Sequence, residues 1–245
     1  HLPTIFSALL TAAALSFNPL AHAQTAATFP SKPLKIIVPF GAGGIADLTA
    51  RTVGTKMAEL LGQPVIVENK PGAGGIAAGD LVAKSGPDGS TMLLMSNATA
   101  VSENLFKTMP FDASKDFAPV TTLGFFDIAL ITKADSPYKT MAELLAFAKA
   151  NPGKLNVGTI NIGSTQNLAA ELFKSIAGIE VQIVPFNGTP AVITALRGGQ
   201  IDAAVEILGP VKTQIDAKAI NALAVMGLKR APSLPNVPTA KESGL

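Results

Sequence analysis

One hexapeptide, Gly-Ala-Gly-Gly-Ile-Ala, occurs twice in this chain, at residues 41–46 and again at residues 72–77. Each copy follows a short apolar run, at residues 34–40 and 65–69, and each leads into a helical pattern of apolar residues. Glycines at such a turn let backbone amides approach a ligand closely, and the positive end of the following helix dipole favours an anion. The repeat therefore predicts two strand–loop–helix units that share one anion site, although the same glycines would also suit a plain tight turn.

The composition is that of a globular protein with few charges. Of 245 residues, 48% are hydrophobic and 15% are charged, and the formal net charge is +2. A nucleic acid requires a much stronger basic field, so we expect no nucleic-acid partner.

The first residues have the pattern of a secretory leader. Residues 1–23 contain no Lys, Arg, Asp or Glu, include an apolar run at residues 5–17, and end in Ala21-His22-Ala23. We interpret them as a signal peptide that is cleaved after Ala23, because the run is short for a bilayer span and the last residues are small. The chain begins without Met and stops at Leu245 inside a helical pattern, so we expect a fragment at both ends.

The residue types limit the chemistry. Cleavage of the leader would remove both histidines, His1 and His22, and the chain has no cysteine. Ser–His and Cys–His catalytic pairs and Cys/His zinc sites are thereby excluded, and neither a G-x-S-x-G motif nor a P-loop is present. We predict no catalytic residue, no metal and no cofactor.

Apolar runs alternate with amphipathic segments, which favours an α/β fold with largely parallel sheets. Predicted strands are residues 34–38, 64–68, 91–96, 120–132, 156–159, 181–184, 203–206 and 221–226. Predicted helices are residues 45–61, 76–85, 141–150, 166–178, 189–198 and 210–218. The run at residues 120–132 is long for one strand and contains Gly124. We interpret it as a crossing between two lobes, with residues 221–226 as the return, which describes a hinged clamshell.

Four stretches resemble, in order, the receptors of tripartite tricarboxylate transporters, also called Bug proteins. They are residues 39–47, 62–75, 111–120 and 229–239. Each is weak alone, but the similarity is collinear from Phe29 to Leu245. It implies an α/β type II periplasmic-binding-protein clamshell, in which each lobe is a sheet flanked by helices and the C-terminal part of lobe 1 is missing from this chain. The implied bounds are lobe 1 at residues 24–123, lobe 2 at residues 124–225, and a return to lobe 1 at residues 226–245.

The resemblance also implies a function. It is that of a monomeric periplasmic receptor, which captures a small carboxylate (an organic acid, an acidic amino acid or an aromatic acid) and delivers it to membrane permease subunits. The implied ligand contacts of lobe 1 are Gly41, Ala42, Gly43, Gly44, Ile45, Gly74, Gly75, Ser96, Asn97 and Thr99, the last three in a predicted turn. Those of lobe 2 are Thr159, Gly163, Ser164, Thr165, Asn187, Gly188 and Glu206. Ser164 and Thr165 lie at a predicted helix N-cap, where hydroxyls and free amides can donate to a carboxylate.

Four positions depart from the common family pattern. This chain has Ala46, Asn167, Asn187 and Glu206 where a hydroxyl residue, a histidine, a basic residue and an aspartate are frequent. The cleft is therefore expected to be less cationic. This favours a ligand with one carboxylate, or one that also carries an amine for Glu206, over a tricarboxylate.

Other interpretations stay open at this point. A binding protein that presents its ligand to a membrane sensor would have the same contacts. A nucleotide-binding enzyme would match Gly41-x-Gly43-x-x-Ala46 with Glu68 at the end of the next strand, although an exported chain would not meet NAD. Asp47 suits the first turn of a helix as well as a ligand, Ser164 and Thr165 could serve as caps only, and Glu206 could be a solvated rim charge. Lys229-Arg230 could be solvated or contact the permease.

Overall fold

The computed structural model describes residues 29–245, and the predicted signal peptide lies outside this range. Two separate sheets organise the described chain. We refer to each sheet with its helices as a lobe. Lobe 1 contains the three-stranded sheet and lobe 2 the five-stranded sheet.

Lobe 1 is a parallel sheet with the strand order β2-β1-β3. Its central strand buries Leu34, Ile37 and Val38, as expected where helices cover both faces of a parallel sheet. The first helix ends at Gly62, which has a left-handed conformation and caps the last turn. The strands are β1 (Leu34–Val38), β2 (Val65–Asn69) and β3 (Thr91–Leu93), and the helices are α1 (Ile45–Leu61), α2 (Ile76–Ala83) and α3 (Asn97–Leu105), with a short 3₁₀ turn at Ala73–Gly75.

Lobe 2 is a mixed sheet with the order β6-β5-β7-β4-β8. β5 is parallel to β6 and β7, whereas β4 is antiparallel to both of its neighbours, β7 and β8. The strands are β4 (Ile128–Lys133), β5 (Leu155–Ile160), β6 (Val181–Phe186), β7 (Ala203–Ile207) and β8 (Ile220–Val225). The helices are α4 (Met141–Ala150), α5 (Thr165–Ala177), α6 (Thr189–Arg197) and α7 (Leu208–Asp216).

The end of the described chain adds to the edge of this sheet. Val225 forms a parallel bridge with Thr239, in which Val225 donates to Pro238 and accepts from Ala240. Arg230 donates to the carboxylate of Glu242 at 2.9 Å and to the carbonyl of Pro235 at 3.1 Å. Arg230 is itself exposed, so these contacts agree with a solvated charge that is paired locally.

Two expectations from the sequence are wrong. The strand predicted at residues 120–132 begins only at Ile128, and residues 117–127 form neither helix nor strand. The apolar side chains there are exposed, with 93% of Phe125 accessible, so their hydrophobicity does not report burial in a sheet. The turn predicted at residues 96–99 is instead the start of α3, where the hydroxyl of Ser96 accepts the amide of Ala98 at 3.2 Å.

Candidate functional site

The loops at the carboxyl ends of the parallel strands lie at the junction of the two lobes. In open α/β sheets, ligands bind beyond these ends. In lobe 1 the loops that follow β1, β2 and β3 carry the predicted residues 41–45, 74–75 and 96–99. In lobe 2 the predicted residues 159–165, 187–188 and 206 lie at the ends of β5, β6 and β7 or in the loops that follow. The fold therefore brings the two sets of predicted residues to the same edge of each sheet.

The first glycine loop packs directly against lobe 2. A Cβ on Gly41 would overlap the carbonyl oxygen of Asn187, and one on Gly43 would lie 3.1 Å from the ring of Pro190. A Cβ on Gly44 would be 3.5 Å from the hydroxyl of Thr189. At position 41, glycine is thus required by the approach of the opposite backbone, which the sequence argument had attributed to the approach of a ligand.

The second glycine loop also contacts lobe 2. The amide of Gly74 donates to the carbonyl of Ile162 at 3.1 Å. Beside it, the hydroxyl of Thr165 donates to the side-chain oxygen of Asn97. A Cβ on Gly74 would meet Ser102 and Phe106 of its own lobe, each at 2.5 Å, and its φ is +62°. Glycine at position 74 is therefore required by packing inside lobe 1 as well as by its backbone conformation.

Asp47 holds the first glycine loop in place. Its buried carboxylate accepts the amide of Gly43 at 3.0 Å and forms an ion pair with Arg51 at 2.9 Å. Arg51 also donates to Asn69, which in turn donates to the carbonyl of Phe40 at 3.0 Å. Burial raises the pKa of Asp47, but the hydrogen bonds from Arg51 and the Gly43 amide outweigh it, and the net pKa is lowered. These contacts support the structural interpretation of Asp47. Sequence reasoning missed its partners Arg51 and Asn69.

The starts of α1 and α5 differ in how their free amides are used. In α5 the hydroxyl of Ser164 accepts the amide of Asn167 at 3.1 Å, and the side chain of Asn167 accepts the amide of Gly163 at 3.0 Å. In α1 the N-cap is Gly44, which has no side chain to accept a first-turn amide. The first turn of a helix leaves its amides without intrahelical partners. Of these two helix starts, that of α1 is therefore the better anion site, and Ser164 fits the capping alternative.

Glu206 is a fully buried carboxylate at the end of β7, so the alternative of a solvated rim charge is wrong. Its Oε2 accepts from Gln166 at 3.3 Å and from Thr189 at 3.1 Å, whereas its Oε1 has no hydrogen-bond partner within residues 29–245. Burial raises the pKa of Glu206 to about 7, against the smaller lowering by the hydrogen bonds from Gln166, Thr189 and the backbone amide of Ile207. The sequence alone gave no hydrogen-bond role for Gln166.

Two further polar side chains are buried at the end of β5. Thr159 is fully buried, and its hydroxyl accepts from the side-chain Nδ2 of Asn167 at 3.4 Å. Asn161 is 8% exposed, and its Oδ1 has no hydrogen-bond partner in the described part of the chain. Asn161 was absent from the sequence prediction.

In the described range, no helix combines the length and the apolar character that a membrane span requires.

Comparison with known proteins gives concordant similarities. The model of the tripartite tricarboxylate transporter family receptor matches residues 49–245. A UPF0065 protein of Bordetella pertussis is 39% identical over 242 residues, which cover 98% of this chain and 74% of that protein. This chain thus spans about three quarters of the length of that relative.

Solved structures share the architecture. The periplasmic binding protein BugD is 32% identical with a TM-score of 0.81, over 88% of this chain and 72% of BugD. An R. palustris protein solved with adipate is 31% identical with a TM-score of 0.84, over 88% of this chain and 73% of that protein. The predicted two-lobed α/β periplasmic-binding-protein fold is confirmed.

Proposed function

This chain belongs to the tripartite tricarboxylate transporter receptor family, as the sequence resemblance predicted, and we propose that it captures a small carboxylate between its lobes and delivers it to a membrane transporter. Members of this family are solute-binding proteins and not enzymes, so the nucleotide-binding enzyme is set aside. The proposal includes export to the periplasm, because the related BugD is a periplasmic binding protein.

The observation that carries the proposal is the uncapped start of α1 at the junction of the lobes. Gly44 provides no capping side chain, so the first-turn amides and the helix dipole are available to an anion. The pairing of Asp47 with Arg51 and with the Gly43 amide keeps that carboxylate engaged with its own loop. The adipate bound by the R. palustris protein, a dicarboxylate, supports the same ligand class.

The proposed mechanism is a population shift without covalent chemistry. An open form binds the ligand through lobe 1, and the ligand favours the closed form because only there do both lobes contact it. The direct contacts between Gly74 and Ile162, and between Thr165 and Asn97, belong to the closed form. The closed form is then the species that a membrane transporter recognises.

A proline at position 45 tests the α1 site. Ile45 is the first helical residue, where proline is tolerated, and Gly44 before it has the extended conformation that a following proline requires (φ −84°, ψ 173°). Ile45→Pro removes one amide donor. Ile45→Ala keeps the amide and loses the same side chain, so it is the matched control.

The measurement is calorimetric titration of the full-length mature protein with four small carboxylates: adipate, succinate, glutamate and benzoate. Glucose and NAD, which are not small carboxylates, are titrated as negative controls. We expect at least one carboxylate to bind, and Ile45→Pro to bind it at least about tenfold more weakly than Ile45→Ala, because a hydrogen bond to a charged group contributes about 1.5–3 kcal/mol. Equal affinities in the two variants would exclude the α1 site. Binding of glucose or NAD alone would overturn the receptor function proposed above.

A further inference from the structure

The two lobes offer opposite hydrogen-bonding groups at their junction. Lobe 1 offers donors, the first-turn amides of α1. Lobe 2 offers buried acceptors, Oε1 of Glu206 and Oδ1 of Asn161, neither of which has a hydrogen-bond partner among the described residues. Buried polar atoms are nearly always paired, so each such atom requires an explanation.

The two acceptors lie at neighbouring strand ends. Glu206 is near the end of β7 and Asn161 directly follows β5, and these strands are parallel neighbours with Gly158 opposite Ala204. Thr189 connects this region to lobe 1. Its hydroxyl donates to Oε2 of Glu206, and a Cβ on Gly44 would be 3.5 Å from that hydroxyl. Thr189 therefore lies between Glu206 and the start of α1 and is close to both.

Glu206 also lacks a compensating charge. Its donors, the side chains of Gln166 and Thr189 and the backbone amide of Ile207, are neutral, and it takes part in none of the ion pairs found within residues 29–245. An ionised carboxylate that is fully buried without a cation is strongly unfavourable. A neutral donor such as a hydroxyl would occupy Oε1 but would leave this charge uncompensated, whereas an ammonium would supply both a hydrogen bond and the opposite charge.

We propose that the ligand is an amino acid, whose carboxylate binds at the start of α1 and whose ammonium group binds Oε1 of Glu206. An ammonium has three N–H donors, so it can also reach the oxygen of Asn161. This inference rests on the receptor function proposed above and narrows its ligand class. It makes Glu206 the residue that distinguishes amino acids from acids that lack the amine.

Matched ligand pairs test the inference at pH 8, where Glu206 is mainly ionised. Aspartate is compared with succinate, and glutamate with glutarate, by calorimetric titration of the full-length mature protein. For at least one pair we expect the amino acid to bind about 30-fold more tightly or better, the ratio that corresponds to the lower end of the cost of breaking a buried charge pair. Malate, which has a hydroxyl in place of the amine, is expected to behave like succinate.

Two variants assign the preference to the side chain. Glu206→Gln keeps the size and removes the charge, so the ratio within each pair should fall to about threefold or less. Glu206→Asp keeps the charge and should retain most of the preference, which separates an electrostatic role from a purely structural one. Unfolding of each variant is followed by circular dichroism, so that a loss of folding is distinguished from a loss of selectivity.

The outcomes separate this inference from the function on which it rests. If succinate, glutarate or adipate binds as tightly as the amino acids, the receptor function stands and the role of Glu206 is wrong. If malate is preferred over succinate as strongly as aspartate is, the charge argument is overturned. It is also overturned if the affinity ratio within each ligand pair is unchanged in Glu206→Gln. If no carboxylate binds, the proposed function itself fails.

Discussion

Replacement of Glu206 by glutamine should stabilise the ligand-free protein at high pH. Glutamine retains an oxygen that can accept from Gln166 and Thr189, but it carries no charge into the buried site. In the wild type, burial raises the pKa of this carboxyl from 4.5 to about 7. The folded protein therefore holds a proton that the unfolded chain releases between these two pH values, and the wild type loses stability as the pH rises from 4.5 to 7.

The size of the effect follows from the same two pKa values. The difference between 4.5 and about 7 corresponds to about 3 kcal/mol of unfolding free energy once the pH exceeds 7. At pH 5 the penalty is only about 1 kcal/mol, because the folded carboxyl remains protonated. For a chain of this size, 1 kcal/mol changes the melting temperature by about 2–4 °C, so Glu206→Gln should melt about 6–12 °C above the wild type at pH 8.

The assay is thermal unfolding of both proteins between pH 5 and pH 8 without ligand. Glu171→Gln is the matched control, because Glu171 is exposed on α5 and its replacement should change stability by less than about 0.5 kcal/mol. Melting temperatures of wild type and Glu206→Gln that change in parallel over this pH range would refute the argument. The carboxyl would then be equally costly to ionise in the folded and unfolded states.

Three further substitutions test the lobe contacts and the loop network. Gly41→Ala should block closure of the lobes, because the added Cβ overlaps the carbonyl of Asn187; the matched control is Gly86→Ala, whose added Cβ has nothing within 4 Å. With saturating ligand, small-angle scattering should give a larger radius of gyration for Gly41→Ala than for Gly86→Ala, and equal radii would contradict the expected block. Gly74→Ala should lower the unfolding free energy by about 1–3 kcal/mol even without ligand, because the new carbon meets Ser102 and Phe106 of its own lobe. An unchanged midpoint of chemical denaturation would disprove that packing constraint. Arg51→Ala should lower the unfolding free energy by about 1–3 kcal/mol, because it leaves the buried Asp47 without its cation, whereas Lys56→Ala, which breaks an exposed pair, should lower it by less than about 1 kcal/mol. Similar losses for the two variants in chemical denaturation would exclude the buried pair as the cause.

Sequence patterns predicted the regular elements best where local and tertiary signals agree. The bounds predicted for α1 and α4 are those found, because each has an apolar stripe and a defined end: Gly62 caps α1, and Thr140 with Glu143 forms a capping box at the start of α4. The helix at residues 97–105 was missed because small and polar residues dominate its first turns. The strand predicted at residues 120–132 failed because its apolar residues are exposed, a property that hydrophobicity along a sequence does not report.

The candidate site could be located from the sequence but not explained by it. The glycine repeat identified two loops at strand ends, and the structure describes both at the junction of the lobes. The burial of Glu206 and the unpaired oxygen of Asn161 depend on contacts between residues far apart in the chain, for which the sequence holds no local signal. The same is true of the overlap that excludes a side chain at Gly41.

The contact between Gly74 and Ile162 joins main chain to main chain, and so does the close approach of Gly41 to the carbonyl of Asn187. A fit of this kind is independent of which side chains residues 162 and 187 carry. The surface on which the lobes meet can thus stay constant while the side chains around it change. Substitutions of the Asn187 side chain are therefore expected to leave the close approach of its carbonyl to Gly41 unchanged.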